Sequence, residues 1–218
     1  MQKIAVIIAA AGSGSRLGGD IPKQYQKLGD QSILTKTIEK FIDHPAISLV
    51  QVVIGLGQED FYHQSLDGLK DPQNKLQLFV YGEHLRHLSV LNGLKALENH
   101  SPAIVLIHDG ARPFVSTNLI SQIINATTKH NGAIPLLATT ETLKEVDGDF
   151  VNHTLERSKI YHTQTPQGFN YLDIYKLAKE NQEVITDDAQ LFEKAGKKVY
   201  KVQGEVTNIK ITYREDLL

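Results

Sequence analysis

Two cations set among four glycines raise the question of which anion this chain holds. In the run AAAGSGSRLGGDIPKQY, residues 9–25, Gly12, Gly14, Gly18 and Gly19 follow a short apolar stretch, with Arg16 and Lys23 among and beyond them. Glycine-rich backbone can wrap its N–H groups round an anion or approach a base closely, and Arg and Lys add charge-assisted donors to phosphate oxygens. The run is not a Walker A loop, because no Gly-Lys-Ser/Thr follows, and Leu17 occupies the place of the third glycine of the dinucleotide pattern. The second apolar strand ends VVIGLG, without the acidic residue a dinucleotide ribose needs, so a dehydrogenase is disfavoured. On this stretch alone, a plain strand-to-helix turn with solvated cations stays open.

One further residue fits the same chemistry. Asp109 ends the apolar run AIVLIHD, where its carboxylate emerges at the carboxyl end of a strand. A hard oxygen there suits Mg²⁺, which takes one or two carboxylates together with nucleotide phosphates; the alternative is an Asp that caps the amides of the GARP loop. No nucleophilic Ser–His pair is evident. His84 and His87 stand three apart without a third ligand, and TDDAQ (186–190) reads as an N-cap Thr186 with Asp187 and Asp188 in a first helical turn, a structural role.

The elements that must position these residues alternate. KIAVIIAA is dense in β-branched residues and runs straight into the glycines, which marks a buried parallel strand rather than a secretory leader. A helix near SILTKTIEKFIDH, a strand LVQVVIG, a short helix, a strand LQLFVYG and a helix RHLSVLNGLKALEN follow, then AIVLIHD, TNLISQIINATTKH and GAIPLLA. This rhythm predicts an α/β fold with a doubly wound, mostly parallel sheet, whose ligands bind outside the carboxyl ends of the strands. After Ala138 the pattern changes: alternation on either side of Asp147-Gly148 predicts a β-hairpin arm over 139–158 projecting from the sheet, with a second subunit as the partner it packs on. TPQGF reads as a loop on the site wall, and KVYKV and VTNIKIT as closing strands.

Composition narrows the class. The 218 residues are 41% hydrophobic, enough for one full core, so a single domain over 1–218 is expected. Lys and Arg number 23 against 25 Asp and Glu, which lacks the basic footprint of a nucleic-acid binder and makes any anion site local. The chain has no cysteine, which excludes a thiolate nucleophile, a disulfide framework and a Cys-based zinc site. No apolar stretch approaches the roughly 20 residues that cross a bilayer, and a cytoplasmic setting is the default.

The motifs AAAG.G.R with PKQY, Arg86 and Ser89 in RHLSVLNGL, HDGARP, TETLKEV, TLERSKIYHTQTPQGF and GEVTNIKIT together resemble the nucleotidyltransferases that activate sugars and alcohols. The closest likeness is to the 2-C-methyl-D-erythritol 4-phosphate cytidylyltransferase family of the non-mevalonate isoprenoid pathway. The resemblance implies attack of a phosphate-monoester oxygen on the α-phosphorus of CTP with loss of pyrophosphate. It gives catalytic roles to Arg16, Lys23 and Lys210, with Lys210 near the α-phosphate. It implies nucleotide binding by Ala10, Ala11, Gly12, Gly14, Gly82, Ser89 and Ala111. Substrate contacts by Asp109, Thr142 and Arg157 are implied too, with Mg²⁺ or another divalent cation on Asp109 and a homodimer whose arm places Thr142 and Arg157 in the neighbouring site. Ser89 has a second reading as a residue that satisfies a free N–H, and Arg112 as an ion-pair partner. Glu83 stands where the family has a second glycine. The rival functions are a ribitol 5-phosphate cytidylyltransferase, whose loop begins LAGG and which lacks the Lys of TLK and the Arg of LER, and a non-catalytic nucleotide-binding regulator.

Overall fold

The computed structural model describes residues 2–12 and 21–217. Strand β1 (Ile4–Ala10) shows why the N-terminal apolar run carries no polar face: Val6 and Ile8 pack into one layer and Ala5 and Ile7 into the other. A strand covered on both sides needs apolar residues at every position. A small antiparallel pair, β2 (Lys27–Leu28) and β3 (Gln31–Ser32), precedes α1 (Ile33–Ile42), β4 (Leu49–Ile54), α2 (Glu59–Ser65) and β5 (Val80–Tyr81). Next come α3 (Arg86–Ala96), β6 (Ile104–Asp109), α4 (Thr117–His130) and β7 (Gly132–Ala138). The hairpin β8 (Lys144–Asp147) and β9 (Phe150–Thr154) follows, then β10 (Tyr161–Thr163), β11 (Gln167–Asn170), α5 (Tyr171–Glu180), α6 (Ala189–Lys194) and β12 (Tyr200–Gln203).

Among the described residues an 8-stranded sheet runs in the order β10-β7-β11-β6-β1-β4-β5, with β12 also on β7. The pairs β1–β4, β1–β6, β4–β5 and β7–β12 are parallel, while β10 and β11 run antiparallel to their neighbours. The expected doubly wound, mostly parallel sheet is therefore present. Helices α1, α2 and α4 cover one face and α3, α5 and α6 the other. Side-chain caps fix where three of them start: Ser32, Ser116 and Asn170 accept from the N–H of Thr35, Leu119 and Asp173 at 3.0, 3.0 and 3.1 Å. Register then levels the strand ends, with Ala9 opposite both Asp109 and Val53, and Ala10 opposite Ile54.

Four local expectations are corrected. LQLFVYG forms only the two residues of β5 and a bridge from Leu76 to Val50. The arm's turn is centred on Gly148-Asp149 rather than Asp147-Gly148, since Asp147 pairs with Phe150 and Gly148 takes the positive φ of 54° that a hairpin turn requires at its first central position. TPQGF is no loop throughout, because Gln167–Asn170 is the strand β11, wedged between β6 and β7. VTNIKIT forms no strand; it crosses the sheet's carboxyl edge, with Asn208 and Ile211 fully buried and the Ile211 N–H on the Ala111 carbonyl at 2.9 Å. Its mix of apolar and polar residues imitates a strand, but Val206 and Ile209 are exposed and the buried Asn208 and Ile211 stand three apart, so burial here has no strand period.

His108, fully buried on β6, links the site to this frame. Thr165 Oγ1 accepts the Asp109 N–H at 3.1 Å, so its own proton goes to His108 Nδ1 at 3.0 Å and His108 Nε2–H donates to the Arg112 carbonyl at 3.1 Å. The ring is neutral, and burial pushes its pKa down from 6.5 to about 4. The unfolded chain therefore takes up a proton below pH 6.5 that the folded chain refuses until about pH 4. Stability contributed by the neutral ring is complete above that window and is lost as pH falls through it, by up to roughly 3 kcal/mol. Urea unfolding of wild type and His108→Asn at pH 7.5 and pH 4.5 measures this, with the variant losing less on acidification; equal losses reject it.

Candidate active site

The level ends of β1, β4 and β6 open into a cleft of about 540 Å³, within the roughly 300–1,000 Å³ usual for small-ligand sites. Ala10, Ala11 and Gly12 form one wall where β1 leaves the sheet; Asp109, Gly110 and Ala111 leave β6 opposite; Lys23 and Lys210 reach in from the flanking segments. Of the residues expected at the site, Ala10, Ala11, Gly12, Lys23, Ser89, Asp109, Ala111 and Lys210 thus line one cavity. Gly14 and Arg16 lie outside the described residues. A larger groove of about 1020 Å³ lies between residues 21–35 and α2, where Lys27 and Arg214 are offset by Asp30 and Asp67 and no cation cluster forms among the described residues.

Asp109 is the electrostatic centre. Its Oδ1 accepts from Arg86 Nε at 3.3 Å, and its Oδ2 faces Arg112 Nε at 3.3 Å and Lys210 Nζ at 3.0 Å. Burial alone would raise its pKa, but Arg86, Lys210 and Arg112 overcome that and hold the carboxyl far below the usual carboxylate range. Asp109 is therefore ionised at any working pH. Arg86 also donates from Nη1 to Asp188 Oδ2 at 2.7 Å, so one guanidinium bridges two buried carboxylates. Burial raises the Asp188 pKa, and Arg86 opposes the shift. Three cations against Asp109 and Asp188 leave an excess of positive charge at the cleft floor, the balance a polyanion needs.

Asp188 corrects the reading of TDDAQ. The helix starts at Ala189, and Asp187, not Thr186, accepts the Ala189 N–H, at 2.7 Å. Asp188 turns inward to Arg86, and the only sequence signal for this was an acid beside another acid at a helix start. Arg112 takes its ion-pair reading, with Nη1 on the Asn208 carbonyl at 2.8 Å.

The Gly82 and Ser89 region explains how the chain tolerates Glu83. A Cβ on Gly82 would fall 2.4 Å from Ala11 Cβ and 2.6 Å from Ser89 Oγ, so only glycine allows this loop so close to the β1 exit. Ser89 Oγ accepts the Glu83 N–H at 2.9 Å and lies 3.1 Å from the Glu83 carbonyl, while the Glu83 side chain is exposed. Ser89 therefore satisfies a free N–H, and it fixes the Glu83 backbone whatever side chain stands there. Lys23 Nζ donates to the Ile211 carbonyl at 3.0 Å, joining the start of the chain to the 205–212 crossing. Thr142 and Arg157 are exposed at the feet of the arm, and neither lines this cleft; Arg157 Nη1 donates to the Thr140 carbonyl at 3.0 Å.

An open, mostly parallel sheet with a cationic cleft over its strand ends, walled by residues 10–12 at the head of a glycine-rich run whose sequence is neither Walker A nor dinucleotide type, has the features of a nucleotidyltransferase. The family model for 2-C-methyl-D-erythritol 4-phosphate cytidylyltransferase matches residues 4–218, and the chain belongs to that family. It is 43% identical over 219 residues to a bifunctional enzyme IspD/IspF of Rhodospirillum rubrum and 40% identical over 220 residues to one of Paramagnetospirillum magneticum. In both cases all of this chain is covered and 56% of the relative, so the chain spans just over half the length of those curated relatives. The solved structure of 4-diphosphocytidyl-2C-methyl-D-erythritol synthase from Anaerococcus prevotii superposes with a TM-score of 0.85 at 34% identity, covering 99% of this chain and 93% of that one. The 2-C-methyl-D-erythritol 4-phosphate cytidylyltransferase of Thermus thermophilus gives 0.78 at 30% identity, covering 99% and 95%.

Proposed function

We propose that this chain joins CTP to 2-C-methyl-D-erythritol 4-phosphate, releasing pyrophosphate, in isoprenoid precursor synthesis. The observation that carries the reading is the convergence of Lys210 and Arg86 on the ionised Asp109, in a cleft that Lys23 and the backbone of residues 10–12 also line. A phosphate-monoester oxygen of the alcohol phosphate attacks the α-phosphorus of CTP; the new P–O bond forms as the bond to the β-phosphate oxygen breaks. The nucleophile is already an anion near neutral pH, so the protein supplies position and charge rather than a base. Lys210 lies beside the α-phosphate and takes the charge that builds on its oxygens. Lys23, with Arg16, grips the β- and γ-phosphates and the departing pyrophosphate. Ala10, Ala11, Gly12, Gly14, Gly82 and Ala111 hold the nucleoside mainly through backbone, with Ser89 shaping the wall.

A divalent cation fits the floor of this cleft. Asp109 is ionised, its Oδ1 meets only Arg86, at 3.3 Å, among the described residues, and the nucleotide's phosphates would supply the remaining hard oxygens. No group of three or more His, Cys, Asp or Glu able to hold a metal occurs among the described residues. When bound, the ion neutralises charge on the triphosphate. The remaining contacts, from Thr142 and Arg157 to the substrate phosphate, we assign to the arm of a second copy in a homodimer. All of β8 and β9 is exposed, including Val146, Phe150 and Val151, an apolar surface that fits burial against a partner. No helix among the described residues is long and apolar enough to cross a membrane, and the expected setting is the cytoplasm, where CTP is supplied.

Pyrophosphate release tests the reading. With CTP and Mg²⁺, turnover is expected with 2-C-methyl-D-erythritol 4-phosphate and little with ribitol 5-phosphate. Turnover only with ribitol 5-phosphate selects the rival enzyme, and CTP binding without turnover selects a regulator. In the same assay Asp109→Asn raises the Mg²⁺ concentration needed for half-maximal rate and lowers the rate. An unchanged Mg²⁺ titration returns Asp109 to its structural role.

A further inference from the structure

Gln24 lies next to Lys23 and is only 3% exposed, although its side chain is an amide. Its Nε2 is 2.7 Å from the Ala10 carbonyl, 2.9 Å from the Gly12 carbonyl and 3.1 Å from Gln58 Oε1. Two N–H protons are thus shared among three acceptors. Gln58 Oε1 is an oxygen by chemistry, because it also accepts the Gly55 N–H at 3.2 Å, and this fixes the nitrogen of Gln24 as the donor facing it. Gly55 makes the arrangement sterically feasible: a Cβ there would fall 2.6 Å from Gln58 Nε2 and 2.7 Å from Gln58 Cδ. Four segments therefore meet on two amides: the β1 exit, the β4 exit, the start of α2 and the segment that carries Lys23.

We propose that Gln24, held by Gln58, is a positioning residue that sets the backbone of residues 10–12 for nucleotide binding. This rests on the reading that the cleft takes CTP. Carbonyl oxygens are the negative ends of their dipoles, and two of them unpaired on the wall of a polyanion site would repel the ligand. Gln24 covers both. In a trans peptide the N–H lies opposite the carbonyl, so holding the Ala10 carbonyl also fixes the direction of the Ala11 N–H. Gln24 touches no reacting atom in this arrangement; it acts through the loop.

Gln24→Glu keeps the shape and removes the donor, turning a carboxylate onto two carbonyls and Gln58 Oε1. At pH 8 the KM for CTP is expected to rise about tenfold or more, with kcat and the KM for the alcohol phosphate within about threefold of wild type. At pH 6 protonation of the introduced carboxyl restores one O–H donor, so the ratio of variant to wild-type KM for CTP shrinks. Gln58→Leu removes the amide that holds Gln24 and adds no atom against the backbone of residues 10–12, and a smaller rise in the same KM, with no relief by acid, is expected. Wild-type KM for CTP in both variants overturns the proposal, as does a loss spread equally over kcat and both KM values with no dependence on pH. If wild-type protein turns over no alcohol phosphate, the functional reading fails instead, and calorimetry decides the clamp separately. Weaker CTP binding by Gln24→Glu than by wild type then upholds it, and equal binding, or none to wild type, overturns it.

Discussion

Alanine in place of Lys210 lowers kcat by about three orders of magnitude and leaves the melting temperature within a few degrees of wild type. The two halves of that result have separate causes. The Lys210 ammonium is 3.0 Å from Asp109 Oδ2 and its side chain is 37% exposed into the cleft, while its backbone is held between buried Asn208 and Ile211. In the proposed reaction, truncation removes a preplaced charge from the place where negative charge would grow in the transition state, and that interaction is worth most there. It does not strand a buried anion, because Arg86 and Arg112 still face Asp109. Lys23→Ala is expected to act in the same direction. Steady-state kinetics beside thermal melts check both, and near-normal kcat in folded variants rejects the assigned roles.

A mixture of two inactive proteins is expected to recover activity. Lys23→Ala damages the cleft, and Arg157→Ala damages the foot of the arm, which lies off the cleft of its own chain. In a two-fold dimer with shared sites, a mixed dimer has one site carrying both lesions and one built from intact Lys23 of one chain and intact Arg157 of the other. Random pairing of equal amounts makes half of the dimers mixed, each with one good site of two, so recovery reaches about one quarter of wild type. If each site is built within one chain, every site keeps a lesion. Subunit exchange followed by differently tagged protomers, with pyrophosphate release measured alongside, decides between them. Verified exchange without recovery leaves the hairpin as a dimer clasp at most.

The sheet was legible because burial writes itself into the sequence. Thr117–His130 and Gly132–Ala138 match the expected helix and strand, since a two-sided strand and an amphipathic helix each leave a clear period. The cleft was legible where chemistry needs a charge: Lys23, Asp109 and Lys210 do meet. What escaped were residues whose role depends on a partner distant in sequence. Asp188 is 102 positions from Arg86, and Gln24 is 34 from Gln58; nothing local separates a buried acid or amide from a solvated one. The 205–212 segment escaped for another reason. Its composition reads as a strand's would, yet its buried residues, Asn208 and Ile211, stand three apart, and the Asn208 carbonyl and Ile211 N–H are spent on Arg112 and Ala111.

The central position of β1 sets how mechanical stiffness is distributed. Its backbone is laddered to β4 on one side and β6 on the other, under helices on both faces, so opening it means dismantling both layers. The loop wall springs directly from that strand. The arm is the opposite case, since among the described residues β8 and β9 are laddered only to each other, and every residue of both is exposed. Amide exchange should therefore be slowest a few residues from the cleft and fastest at the far end of the hairpin. The molecule pairs a rigid anvil with a compliant limb, and a misfit between substrate and site would be absorbed by the limb.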